Sequence, residues 1–246
     1  ADTVDLGTVA GLASRPNAET QFALGGDDVV TLSSSAKLGV AFYGGEGADT
    51  ITGGDATDRI YGDAGDDVLT GGAGDDFLYG GADDDTLIST AGIDRLFGGG
   101  GDDTVIVRGG TAIGVFGGTG ADTFIVESFA GAMRLKDFAP TEDVIDLRPL
   151  LVSLGYAGSD PLADSWIRFT TTPGGDAKIR IDVDGPGAGT AGFVDLVVVE
   201  QGTVADLLVG TNLLLFDAPP PPPPLFTENA DTVDLGTVAG LASRPN

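Results

Sequence analysis

The sequence predicts an all-β protein: a parallel β-roll, or β-helix, with a mixed, mostly β carboxy-terminal cap. Three observations predict it. Residues Gly44 to Ile125 repeat every nine positions, with turn residues in the first six and a short apolar-centred strand in the last three. Position six of the repeat is always Asp and position eight is always apolar. The acidic residues are Asp rather than Glu, 32 against 6, which favours loops over helix surfaces.

The repeat follows the pattern G-G-x-G-x-D-x-U-x, where U is a large apolar residue. Four copies are perfect: GGEGADTIT from Gly44, GGAGDDFLY from Gly71, GGGGDDTVI from Gly98 and GGTGADTFI from Gly117. Degenerate copies hold the same register: GGDATDRIY from Gly53, GDAGDDVLT from Gly62, GGADDDTLI from Gly80 and STAGIDRLF from Ser89. Seven nonads run unbroken from Gly44 to Ile106, and a ten-residue stretch, Val107 to Phe116, precedes the eighth. Glycines in the turn accept positive φ and let carbonyls converge. A three-residue strand with only its middle side chain inward buries one residue per nonad. These are Ile51, Ile60, Leu69, Leu78, Leu87, Leu96, Val105 and Phe124. One nonad is then half a coil, and eighteen residues complete a flattened turn.

Coils of that length stack the aspartates on two sides. Asp49, Asp67, Asp85, Asp103 and Asp122 are expected on one, and Asp58, Asp76 and Asp94 on the other. Carboxylates ~5 Å apart, the distance between neighbouring strands, repel unless something neutralises them. A hard cation with oxygen ligands suits the gap. Ca²⁺ accepts six to eight oxygens in flexible geometry, whereas Mg²⁺ demands a tighter octahedron. Carbonyls are expected from the glycine turns that carry Gly45, Gly47, Gly65, Gly72, Gly74, Gly99, Gly101, Gly118 and Gly120. Six to eight ions per module would place one between each pair of same-side turns. Ala56 and Asp83 replace the third glycine, and Ser89-Thr90 replace the glycine pair, so distorted sites are expected there. A solvated acidic loop array would not need glycines so regularly spaced.

The amino-terminal part is a degenerate version of the same pattern. Leu24 to Val30 reads as an imperfect nonad, and Asp28 and Asp2 are expected to extend the metal ladder. The expected organisation is a roll over 1–125, of which 1–43 is degenerate, and a cap over 126–217. A proline-rich linker follows at 218–229 and the start of a further module at 230–246. That last assignment comes from a second repeat: residues 1–17, ADTVDLGTVAGLASRPN, recur identically as 230–246. The identity fits either a tandem array of modules or an artificial overlap of the two ends. Pro219 to Pro224 should form a polyproline II spacer of roughly 19 Å at ~3.1 Å per residue. A chain that does not begin with Met reads as a fragment or a processed product.

The nonads resemble those of the RTX family of hemolysin-type and serralysin-type calcium-binding proteins. The resemblance implies a Ca²⁺-loaded parallel roll and a bacterial protein secreted by the type I route. RLKDFAPTEDVIDLRPLL (Arg134 to Leu151) and IRIDVDGPGAG (Ile179 to Gly189) are similar to the carboxy-terminal target region of such proteins. In the family that region ends the chain and carries the export signal. Here prolines and further sequence follow, so covering the open end of the roll is the role expected of it. Strands are expected at Ile179–Val183 and Phe193–Val199, and a helix at Pro149–Leu154. Thr203 with Asp206 should cap another.

Catalysis finds little support. His and Cys are both absent, which removes Ser-His-Asp, Cys-His and His-ligated zinc chemistry, including the H-E-x-x-H of RTX metalloproteases. Nearly every Asp pair occupies nonad positions, so no enzyme activity is expected. Asp182-Val183-Asp184-Gly185 starts like an EF-hand loop but lacks its later ligands and reads as a β-turn. A net charge of −26 disfavours nucleic acid and anionic membrane. No apolar run approaches the ~20 residues of a membrane span, and no signal peptide is visible. Tyr43, Tyr61, Tyr79 and Phe97 recur at eighteen-residue intervals, with Phe116 one residue out of step. They should form an outward ladder that stiffens the sheet or, flanked by Arg59, Phe77 and Arg95, serves as a contact surface.

The reading is a structural, non-enzymatic, calcium-binding module of a large secreted bacterial surface protein. A tandem-repeat adhesin stalk or extracellular filament fits best, with neighbouring identical modules or subunits as partners. An S-layer or matrix lattice protein, or the secretion and folding domain of an exported enzyme, are the alternatives. No residue points to a particular glycan or surface ligand.

Overall fold

The computed structural model describes residues 3–5, 23–31, 39, 41–186, 192–208 and 212–215. The chain divides into two units, Ala1–Phe216 and Asp217–Asn246, and all described residues belong to the first. The proline run, the copy at 230–246 and Asp2 lie outside the described residues.

The strands, in chain order, begin with β1 (Thr3–Asp5), β2 (Ala23–Gly25), β3 (Val29–Thr31), β4 (Ala41–Glu46), β5 (Thr50–Thr52), β6 (Arg59–Ala64) and β7 (Val68–Thr70). The middle of the roll holds β8 (Phe77–Ala82), β9 (Thr86–Ser89), β10 (Ile93–Gly100), β11 (Thr104–Arg108), β12 (Thr111–Thr119) and β13 (Thr123–Ser128). The far end holds β14 (Met133–Leu135), β15 (Val144–Asp146), helix α1 (Arg148–Ser153), β16 (Ile167–Thr171), β17 (Ala177–Asp182), β18 (Phe193–Val199) and β19 (Leu213–Leu214).

Odd and even strands separate into two sheets. Nine form one sheet in the order β1-β3-β5-β7-β9-β11-β13-β15-β19. Ten form the other, in the order β16-β17-β18-β14-β12-β10-β8-β6-β4-β2. Pairing within the roll is parallel and advances by one coil: Ile51 faces Leu69, Leu69 faces Leu87, Ile60 faces Leu78 and Leu78 faces Leu96. The eight position-eight side chains stack between the sheets at 0 % exposure. Each contributes roughly 1.5–3 kcal/mol by burial, an upper estimate because the unfolded chain already hides some apolar surface.

The two sheets are not equivalent. Strands such as β5 and β7 have the three residues that the nonad predicts, but β6 and β8 have six. On that side the first residues of the next nonad keep pairing, as with Gly45 to Asp63 and Asp63 to Gly81.

The ten-residue stretch at 107–116 is absorbed by a β-bulge. The register between β10 and β12 shifts at Asp94/Arg95, which restores Phe97 opposite Phe116. Rings of Tyr43, Tyr61, Tyr79, Phe97 and Phe116 therefore stack without a gap, with centroids 4.6, 4.6, 4.7 and 5.1 Å apart. Beside them the guanidinium groups of Arg59 and Arg95 lie 5.3 and 5.1 Å from the Phe77 ring centroid.

Beyond Val126 the nonads stop but the sheets do not. β14 and β15 continue both sheets in parallel, and β19 pairs with β15. β18 joins β14, and β17 and β16 follow it antiparallel. Leu150 and Leu151 of α1 join the same core, with the helix packed against β13. The predicted helix at Pro149–Leu154 is α1, shifted by one residue. The strand predicted at Phe193–Val199 is β18, and that at 179–183 begins earlier, at Ala177. Thr203 and Asp206 do bond reciprocally, Thr203 N–H to Asp206 at 2.7 Å and Asp206 N–H to the Thr203 hydroxyl at 3.3 Å. What they start is a 3-10 turn at Asp206–Leu208.

Candidate metal centre

The position-six aspartates form two hydrogen-bonded ladders, one along each edge of the roll. On the long edge each backbone N–H donates to Oδ1 of the aspartate one coil later. Asp28 donates to Asp49 at 2.8 Å, Asp49 to Asp67 at 2.7 Å and Asp67 to Asp85 at 2.9 Å. Asp85 then donates to Asp103 at 2.9 Å and Asp103 to Asp122 at 3.0 Å. On the short edge Asp58 donates to Asp76 at 2.8 Å and Asp76 to Asp94 at 3.0 Å. That ladder ends because Ala112 stands opposite Asp94. Asp28, Asp49, Asp58, Asp67, Asp76, Asp85, Asp94, Asp103 and Asp122 are all buried.

The ladder uses only one carboxylate oxygen. Oδ2 of Asp49, Asp67, Asp76, Asp85, Asp103 and Asp122 is buried without a hydrogen-bond donor. An orphaned buried acceptor costs about 1–3 kcal/mol, and more when charged. Each such oxygen sits beside the position-one glycine of its own turn and, from Asp49 to Asp103 along the long edge, a carbonyl of the next. A methyl group at Gly62 would land on Asp67 Oδ2 and the Gly80 carbonyl oxygen, and one at Gly98 on Asp103 Oδ2 and the Gly117 carbonyl. The space between turns is thus a cradle lined by oxygen. Among the described residues no three acidic side chains converge on one point. The ladder spreads its carboxylates one per coil, so the donor set is carbonyl-rich with one or two carboxylates. That composition fits Ca²⁺.

Electrostatics point the same way. Burial pushes the carboxyls of Asp67, Asp103 and Asp122 up to about 6, and those of Asp76 and Asp85 up to about 7. The accepted N–H bonds pull back, and neighbouring carboxylates push further up. Asp49 and Asp94 are raised by burial as well. A cation in the cradle supplies the charge that the ladder lacks.

The candidate glycines Gly45, Gly47, Gly65, Gly72, Gly74, Gly99, Gly101, Gly118 and Gly120 all have positive φ, between 94° and 133°. Gly65 illustrates the second constraint: a methyl there would strike the Gly47 carbonyl one coil below. Asp63 and Asp83 take glycine slots at φ 77°, a conformation that Asp tolerates better than most residues. The Asp83 turn keeps the orphaned oxygen on Asp85.

Two participants escape the nonad pattern. Asp143 extends the long ladder, accepting Asp122 N–H at 3.1 Å and, on its other oxygen, Ala139 N–H at 2.7 Å. Asp137 caps the last turn by accepting the N–H groups of Gly117 and Gly118 at 3.0 and 3.1 Å. Asp143-Val144-Ile145 keeps Asp two residues before a buried apolar residue, the only trace of the pattern. The position-five aspartates are exposed, yet they bridge coils too: Asp66 accepts Asp84 N–H at 3.1 Å and Asp75 accepts Ile93 N–H at 2.8 Å. Asp182 and Asp184 stand apart from both ladders, at the turn that ends β17. Asp182 also has an orphaned oxygen, and its carboxyl is raised by burial and by its hydrogen bond with Asp184.

Residues 43–78 and 79–111 match the model of the RTX calcium-binding nonapeptide repeat, in four copies. This stretch is an RTX calcium-binding array. Its aspartates from Asp49 to Asp103 form the middle of the long ladder and the whole of the short one. No curated protein matches the chain. Among solved structures, it is similar to a subunit of the mannuronan C5-epimerase of Azotobacter vinelandii, determined in solution. Identity is 22 % over 74 % of this chain and 87 % of that one, with a TM-score of 0.27. The long ladder extends beyond the matched nonads, to Asp28 on one side and Asp143 on the other.

Proposed function

We propose that this chain is a calcium-folded structural module of a large secreted bacterial surface protein, serving as a stalk or filament element rather than a catalyst. The single observation that supports the reading best is the row of orphaned, buried carboxylate oxygens between stacked turns. Without a cation these oxygens oppose folding; with one, each becomes a cross-link between coils. Metal binding and folding are then the same event. In a low-calcium cytosol the chain stays unfolded and fit for type I export, and external Ca²⁺ locks it. The repeated seventeen residues and the proline run support a tandem arrangement with identical neighbours. Among the described residues no helix is long and apolar enough to cross a membrane.

Circular dichroism in EGTA and then in millimolar Ca²⁺ tests the proposal. A β spectrum that appears only with Ca²⁺ is expected. A β spectrum unchanged by chelation would overturn it.

A further inference from the structure

The two edges of the roll do not treat their carboxylates alike. Five of the six orphaned ladder oxygens lie on the long edge, at Asp49, Asp67, Asp85, Asp103 and Asp122. The short edge has one, at Asp76. Its other two aspartates are satisfied from within the protein. Asp58 Oδ2 accepts the N–H of Gly54, in its own turn, at 2.9 Å. Asp94 Oδ2 accepts the hydroxyl of Ser89 at 2.5 Å.

Ser89 and Thr90 occupy the slots where most turns carry the glycine pair. Both hydroxyls are used. Ser89 is fully buried and donates to the oxygen of Asp94 that in six other turns of the nonad array has no donor. Thr90 donates to the Gly72 carbonyl, one coil earlier, at 2.6 Å. A hydroxyl proton thus meets the carboxylate and a second meets a turn carbonyl, the two kinds of oxygen that a cation would otherwise gather. The side chain also takes up space. A methyl added at Gly110, in the following coil, would fall against the Ser89 hydroxyl and near Asp94 Oδ2.

Building on the calcium reading, we infer that most ions load along the long edge of the roll and that Ser89, with Thr90, replaces an ion at Asp94. The Asp94 turn is a metal-free rung next to the Asp76 rung, which keeps its orphaned oxygen. The short edge carries an ion at Asp76 and none at Asp94, whereas the long edge carries one at each orphaned oxygen.

Native mass spectrometry of the calcium-loaded chain tests this by counting ions. The wild-type count is the reference. Asp76→Asn should bind one ion fewer, and Asp94→Asn should bind the same number as wild type. The double variant Ser89→Gly/Thr90→Gly restores the glycine pair and should bind one ion more. Loss of an ion in Asp94→Asn, or no gain in a folded double variant, would overturn the inference while leaving calcium binding intact. If the double variant fails to fold, the comparison of Asp76→Asn with Asp94→Asn still decides. A wild-type chain that binds no calcium at all would instead remove the reading on which the inference rests.

Discussion

Replacing Asp67 by Asn should change stability in opposite directions with and without calcium. The substitution keeps the shape of the side chain and its Oδ1, which accepts Asp49 N–H at 2.7 Å. The orphaned Oδ2 becomes an amide nitrogen, which carries no charge and cannot ligate a cation. Without metal, the variant escapes the penalty of a buried carboxylate. The rise of the Asp67 carboxyl from 3.8 to about 6 corresponds to about 3 kcal/mol, at about 1.4 kcal/mol per pH unit. Water at the edge of the ladder screens this to about 1–2 kcal/mol. With calcium, the variant forgoes one ion, worth about 2.7 kcal/mol at a hundredfold excess over the dissociation constant. The balance is a variant that holds more β signal than wild type in EGTA but is about 1 kcal/mol less stable in millimolar Ca²⁺. Urea unfolding followed by circular dichroism at graded free Ca²⁺ should show the two stability curves crossing. A variant weaker than wild type at every calcium level would refute the charge argument. One stronger at every level would refute the assignment of Asp67 as a ligand.

Two further outcomes follow from the same geometry. Asp66→Ala and Asp75→Ala remove exposed acceptors whose N–H partners can turn to water, so each should cost no more than about 0.5 kcal/mol; calorimetry in Ca²⁺ should separate them clearly from Asp67→Ala, Asp76→Ala and Asp85→Ala. In EGTA, acid should promote folding: Asp67, Asp76, Asp85, Asp103 and Asp122 hold protons more tightly folded than unfolded, so their stabilisation is complete below about 3.8 and is lost as pH rises through 6 to 7. Circular dichroism in EGTA should therefore gain β signal as pH falls from 8 to 4.5, and a signal that stays flat or declines would contradict the burial argument.

The repeat made the roll legible because position six and position eight each have one physical duty. Every position-eight residue is buried in the core, and the sorting of aspartates onto two edges follows directly from a coil of eighteen residues. What stayed hidden depends on contacts between coils rather than on spacing. Asp143 joins the long ladder twenty-one residues after Asp122, in a segment with no glycine turn to announce it. Phe116 looked displaced until a bulge in the neighbouring strand pair took up the extra residue. The position-five aspartates read as outward bystanders because exposure can be inferred from a repeat, but a hydrogen bond to the next coil cannot. The satisfied oxygen of Asp94 is of the same kind: the substitutions at Ser89 and Thr90 were visible, and their effect on a carboxylate was not. At Thr203 the capping pair is present, but only a short 3-10 turn follows it.

The uniform eighteen-residue pairing has a cost of its own. Identical rungs are interchangeable, so a chain that slips by one whole coil loses almost none of its pattern: glycine still meets glycine and Asp still meets Asp. A side-chain alternation of two penalises a slip of one residue, yet nothing in the perfect nonads penalises a slip of eighteen. The irregular parts supply that penalty. The nineteen-residue step from Val105 to Phe124, the bulge at Asp94/Arg95, the Ser89-Thr90 turn and Ala112 at the end of the short ladder each have only one partner that suits them. Departures from consensus in this array thus act as alignment marks, and replacing them all by perfect nonads should yield a chain that binds calcium in several shifted alignments instead of one.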